Sequence, residues 1–93
     1  MINEIHNKST YRRIYNNLST KFVNDYCEFR SDGLEVRESL FEAKGRLKTH
    51  LAAELARNYK HAKTVMKAYQ DLKTDTTLIK KAILCYQGIK RRG

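Results

Sequence analysis

Proline and tryptophan are absent from this 93-residue chain, and glycine occurs only four times. Sandwiches and barrels need many turns, and turns draw on proline and glycine, so the composition argues against an all-β fold. No long apolar run exists. The longest are a few residues, such as Ala82-Ile83-Leu84-Cys85-Tyr86, too short to span a bilayer. The first residues, Met1-Ile2-Asn3-Glu4-Ile5-His6, lack the apolar segment of a signal peptide, so a cytoplasmic location is expected. Cysteine is scarce too. Cys27 and Cys85 stand far apart with no CxxC spacing, and the expectation is that both are reduced and packed as small hydrophobes. His6, His50 and His61 show no ligand spacing with each other or with either cysteine, so neither a metal nor a cofactor is expected.

What is present is charge of one sign. Lys and Arg number 19 against 10 Asp and Glu, a formal net charge of +9. Residues 1–46 carry a net +1 and residues 47–93 a net +8. A half-molecule this basic suits a polyanion, most often nucleic acid, although a basic balance also occurs in proteins with no such ligand. Hydrophobic residues make up 41% and charged residues 31%, which fits one folded domain over residues 1–93. A domain of this size hides only about 60–65% of its unfolded surface, and self-association commonly completes so thin a core.

The apolar residues recur at helical spacing. Residues 1–8 read as a polar arm, with Ser9 or Thr10 positioned to cap a first helix. Tyr11, Ile14, Tyr15, Leu18, Phe22, Tyr26 and Phe29 then share one face. Ser31-Asp32-Gly33 interrupts this pattern, and the Asp32/Glu35 spacing matches a capping box that opens a second helix. Leu40, Leu47, Leu51, Leu55, Tyr59, Ala62, Met66 and Tyr69 continue a stripe from about residue 33 to about residue 72, a rod of about 60 Å. A break near Asn58, giving a closed four-helix unit, stays open as the alternative. Thr74 or Asp75 caps a third helix carrying Leu78, Ala82, Ile83, Tyr86 and Ile89, with a basic tail over 89–93. The expected fold is therefore all-α, a three-helix hairpin or bundle with a long central helix, completed by oligomerisation. The surface expected to pair with another copy comprises Leu47, Leu51, Leu55, Tyr59, Met66, Ile83 and Tyr86.

No nucleophile elbow, phosphate loop, zinc-protease motif or Cys/His/Asp constellation occurs, so the chain is not expected to be an enzyme. Asp25, Glu28, Asp32, Glu35, Glu38 and Glu42 gather near the first helix junction but fall on several helix faces, as a solvated tip would. Binding has better support. Arg57, Lys60, Lys63 and Lys67 step by three, three and four, forming a basic ridge beside Tyr59, Tyr69 and His61; Lys44, Arg46 and Lys48 lie further back. Cations beside flat rings suit single strands, where phosphates and unstacked bases are both accessible. Tyr59 and Tyr69 also fit the core stripe, and the ridge does not depend on their stacking.

Lys63-Thr64-Val65-Met66-Lys67-Ala68, followed by Asp71-Leu72-Lys73-Thr74-Asp75-Thr76-Thr77-Leu78, resembles the UvsY-type recombination mediators of T-even-like bacteriophages. Lys44-Gly45-Arg46-Leu47 is similar to that family's Lys-x-Arg-Leu element, and Ile89-Lys90-Arg91-Arg92-Gly93 resembles its basic close. The resemblance covers about a third of the chain, which is shorter than typical members and compressed between the two motifs. It implies a helical, oligomeric protein that binds single-stranded DNA. It also implies partnership with a RecA-like recombinase and a single-strand-binding protein. The competing expectation is a small helical interaction protein that binds and modulates a host or viral protein.

Overall fold

The computed structural model describes the backbone of residues 2–92 and the side chains of residues 8–89. Four α-helices follow one another: α1 (Ile2–Ser31), α2 (Val36–Arg57), α3 (Ala62–Lys73) and α4 (Thr76–Arg92), with a 3-10 turn at Tyr59–His61 between α2 and α3. The described residues contain no strand, so the chain is all-α.

The longest helix is the first. No proline or glycine interrupts residues 2–31, and the helix starts at Ile2, so the expected arm is helical; of its side chains, those of residues 1–7 lie outside the described set. The face read from the sequence is the one that is buried. Ile14, Leu18, Phe22 and Tyr26 are almost completely enclosed, with Tyr11 and Tyr15 packed at the margin. Helix α1 ends in a Schellman motif. Leu34 N–H donates to the Phe29 carbonyl at 3.1 Å, and Gly33 N–H to the Arg30 carbonyl at 3.0 Å. Gly33 has φ +102, which side-chain-bearing residues rarely adopt. The capping box falls one turn later than the Asp32/Glu35 spacing suggests: Glu35 is the N-cap of α2 and Glu38 closes the box.

Helix α2 runs back along α1, burying Ser39, Ala43, Leu47 and Glu54. The continuous helix expected over 33–72 is not what the chain forms. It stops at Asn58 because Glu54, four residues earlier, points into the interior. The buried Glu54 carboxylate takes Arg57 Nη2 at 2.5 Å and Asn58 Nδ2 at 3.1 Å. Asn58 also donates from its backbone (2.8 Å) and its side chain (3.0 Å) to the Glu54 carbonyl, and its Oδ1 accepts from Arg13 Nη2 at 2.9 Å. An asparagine thus ends the helix by satisfying its last carbonyls, as glycine does elsewhere. The 3-10 turn then shifts the phase. Thr64, Val65, Ala68, Tyr69 and Leu72 face inward on α3, whereas Tyr59, Ala62 and Met66 of the expected stripe are exposed.

The segment between Asn58 and Asp75 begins and ends against the same part of α1. Asn58 meets Arg13, Asp71 meets Tyr11 and Asp75 meets Tyr15. Helix α3 is therefore laid across α1 rather than along it. Asp75 caps α4, its Oδ1 accepting from Thr77 N at 3.0 Å and Leu78 N at 3.2 Å, as the spacing predicts. Helix α4 runs parallel to α1, from Tyr15 beside Asp75 to Tyr26 beside Tyr86. It continues to Arg92, so Gly88 does not end it and the backbone of the expected basic tail is helical up to that residue.

Replacing Glu54 by Ala removes both side-chain bonds that hold the end of α2. The expected cost is about 2 kcal/mol, typical of bonds to a charged group. Urea unfolding checks it as a lower midpoint at unchanged slope; an unaltered midpoint would mean that the break is held by packing alone.

Candidate nucleic-acid interface

The distribution of charge follows from which acids the fold occupies internally. Asp25 is buried against α2, accepting from Arg46 Nη1 at 3.4 Å and lying 2.8 Å from His50 Nε2. Arg46 also reaches Glu28 at 3.5 Å and covers the Phe29 ring at 4.6 Å. Glu54 is enclosed and bonded to the exposed Arg57, and Asp71 and Asp75 bind tyrosines. The remaining acids of the described side chains, Asp32, Glu35, Glu38 and Glu42, are exposed around the α1–α2 turn.

The seven basic residues expected to bind nucleic acid fall into two groups. Lys44, Lys48, Lys60 and Lys63 are exposed, with no acidic partner within ion-pair distance among the described residues. Lys44 and Lys48 lie one turn apart on α2; Lys60 sits in the 3-10 turn with its Nζ 5.9 Å from the Tyr59 ring centroid; Lys63 is on the outer face of α3. Arg46, Arg57 and Lys67 are engaged within the fold, Lys67 with Asp71 at 3.3 Å. The single straight ridge from Arg57 to Lys67 does not form, because the break at Asn58 divides it among α2, the turn and α3. The aromatic pair also separates. Tyr59 is 71% exposed and open to stacking, whereas Tyr69 is buried in the core.

The expected pairing surface changes as well. Leu47 is fully buried within its own chain, so it is no contact for another copy. Leu51, Leu55, Ile83 and Tyr86 are partly buried against the core. Tyr59 and Met66 remain exposed, and the fold adds Phe41 (73% exposed) and Leu84 (64%), which the stripe pattern does not single out.

One group of residues has no counterpart in the sequence reading. Tyr11 and Tyr15, one turn apart, stack with ring centroids 5.8 Å apart. With Lys8, Arg12 and Asn16 they line an open groove on α1. The Tyr11 hydroxyl donates to Asp71 Oδ2 at 2.5 Å and the Tyr15 hydroxyl to Asp75 Oδ2. The matched i, i+4 spacing of the two tyrosines and the two aspartates was the available signal, but it identifies a contact only once α3 and α4 are known to return to α1. Burial, and next the hydrogen bond to Asp71, push the Tyr11 phenol up to about 12. Tyr15 is raised in the same way, by burial and then by Asp75. The tyrosine bonds in turn hold Asp71 and Asp75 below the usual carboxylate range.

No family model, curated protein or solved structure matches this chain. No helix of the described residues is long and apolar enough to cross a membrane.

The two tyrosine–aspartate bonds set pH limits at both ends. The phenols are raised on folding, so their contribution is complete below pH 10 and lost as pH climbs toward about 12. The aspartates are lowered on folding, so theirs is present above the ordinary carboxylate range and lost as pH falls through it. A Tyr11→Phe/Tyr15→Phe variant should melt below the parent at pH 7. The gap should close in strong acid and narrow as pH climbs above 10, first through Tyr11 and then through Tyr15. Thermal melts followed by circular dichroism measure the gap, and a constant difference across that range would contradict the assignment.

Proposed function

We propose that the protein binds single-stranded DNA and acts as an accessory, mediator-type factor in recombination or replication. The observation that supports binding is the occupation of acids by the fold. Asp25, Glu28, Glu54, Asp71 and Asp75 are held in internal contacts, whereas Lys44, Lys48, Lys60 and Lys63 stay exposed. The exposed Tyr59 ring beside Lys60 supplies a flat surface next to a cation, the combination that favours unpaired bases. The mediator role rests on the UvsY-type motifs. So do its partners, a RecA-like recombinase and a single-strand-binding protein.

Self-association belongs to the same reading. The apolar side chains left outside the core, Phe41, Tyr59, Met66 and Leu84, are the surface by which copies would pack. Those same side chains favour the alternative reading, a helical protein that docks on another protein and uses no DNA.

Fluorescence anisotropy with single-stranded and duplex oligonucleotides of equal length separates the readings. Contacts from Lys44, Lys48, Lys60 and Lys63 give a slope of log affinity against log salt near −3 on a single strand, at about 0.7 per phosphate contact. Lys60→Ala/Lys63→Ala should flatten that slope by about 1.4 and leave the melting temperature within a few degrees. Arg46→Ala should instead lower stability, because it leaves Asp25 buried without its guanidinium. Binding that ignores salt, or equal affinity for both DNA forms, would overturn the proposal.

A further inference from the structure

Helix α4 rests chiefly on one neighbour, α1, and its seam is fixed at two points. Asp75 meets Tyr15 at the start. Near the other end Tyr26 packs edge-on to Tyr86 with centroids 6.5 Å apart, Arg30 lies over the Tyr86 ring at 4.9 Å, and the Tyr86 hydroxyl donates to the Arg30 carbonyl at 3.5 Å. Cys27 follows Tyr26 and Cys85 precedes Tyr86. The seam therefore brings to neighbouring positions two thiols that are 58 positions apart in the chain, near enough for Cys85 to raise the Cys27 thiol. They are free cysteines with different access to solvent: Cys27 is half-buried against the core and Cys85 is exposed.

We propose that Cys27 and Cys85 are a dithiol site that a disulfide oxidant converts into an intramolecular bridge joining α1 to α4. This goes beyond the DNA-binding proposal and does not depend on it. The chemistry is thiol–disulfide exchange. The exposed Cys85 thiol gives up its proton, and its sulfur attacks one sulfur of a small disulfide such as oxidised glutathione. One glutathione thiolate leaves and takes up a proton, and Cys85 is now in a mixed disulfide. Cys27 then loses its proton and attacks Cys85 Sγ, and the second glutathione thiolate leaves and is protonated. Two protein thiols are oxidised by two electrons, and one molecule of oxidised glutathione is reduced to two thiols. The order of attack follows from access. Burial, then the neighbouring Cys85, push the Cys27 thiol up to about 11, so it holds less thiolate and is not the first to attack; it acts once the mixed disulfide is held beside it.

The expectation of two reduced cysteines packed as small hydrophobes fits Cys27, while Cys85 is exposed and not packed. Their proximity is a consequence of the parallel register of α1 and α4, which no spacing in the sequence reveals. A bridge there would tie down the helix held by the fewest neighbours, and cross-links that close long loops restrain the unfolded chain most.

The test treats the full chain with oxidised glutathione and quenches with an alkylating reagent. Mass spectrometry should show loss of two hydrogens with neither cysteine alkylated, and a denaturing non-reducing gel should show a single-chain species. The oxidised protein should melt at least about 5 °C above the reduced one, and the gain should vanish on reduction. Cys27→Ser should halt at the glutathione adduct of Cys85, and Cys85→Ser should gain nothing in melting temperature. Disulfides only between chains, persistence of two alkylatable thiols, or an oxidised form that melts no higher would each overturn the proposal.

Discussion

One helix has to cover all the others. Among the described residues helix α1 is the one element that contacts each of α2, α3 and α4 extensively, and its apolar face supplies Ile14, Leu18, Phe22 and Tyr26 to a shared core. A single helix offers a limited strip of surface, so each later helix must return to it. A second helix running straight on past Asn58, which meets Arg13, would run beside residues 2–12 of α1, away from Ile14, Leu18 and Phe22. The turn at Asn58 returns the chain to the buried part of α1, and Glu54 provides the means. A buried carboxylate that bonds Arg57 and Asn58 is tolerated because each bond also ends the helix or anchors the turn to Arg13.

The regular parts of this arrangement were readable from residue spacing. The all-α class, the inward face of α1 and the Asp75 cap follow from period and cap chemistry, which act over a few residues. The break does not, for a specific reason. Tyr59, Ala62 and Met66 keep the three-four rhythm of the preceding leucines, so the stripe looks unbroken. The turn at Tyr59–His61 rotates the chain and puts Val65, Ala68 and Leu72 inside instead. Asparagine is a weak breaker taken alone, and its effect here depends on Glu54, Arg57 and Arg13 together. The capping box moved for a related reason. Asp32 follows the last residue of α1 in the Schellman turn, which leaves Glu35 as the first residue free to cap α2.

The candidate site was legible as composition and illegible as pairing. A net +9 is evident at once. Which lysines remain available is decided by contacts such as Asp25 with Arg46 and His50, across 21 and 25 positions. The Lys44/Arg46 element shows the consequence. Two residues apart on a helix, the side chains diverge by about 200°; Arg46 therefore turns to α1 and its acids, while Lys44 turns to solvent. Similarity of motif would assign both the same role, and packing assigns them different ones.

Charge is unevenly placed along the molecule. The structure is elongated, 47 Å by 20 Å by 20 Å. Around the α1–α2 turn Asp32, Glu35, Glu38 and Glu42 are exposed, while Lys60 and Lys63 lie near the opposite end, where the chain crosses α1 at Arg13 and Tyr11. The two sets are separated by more than the screening length of about 8 Å at physiological salt, so they do not neutralise each other. The turn is not purely acidic, because Arg37 stands exposed in it and α4, parallel to α1, ends on the same side of the molecule. One feature of the fold sets this distribution: Asp71 and Asp75 are engaged by tyrosines and a lysine where the chain crosses α1, whereas Glu35 and Glu38 serve only the local capping box and leave the α1–α2 turn its exposed acids.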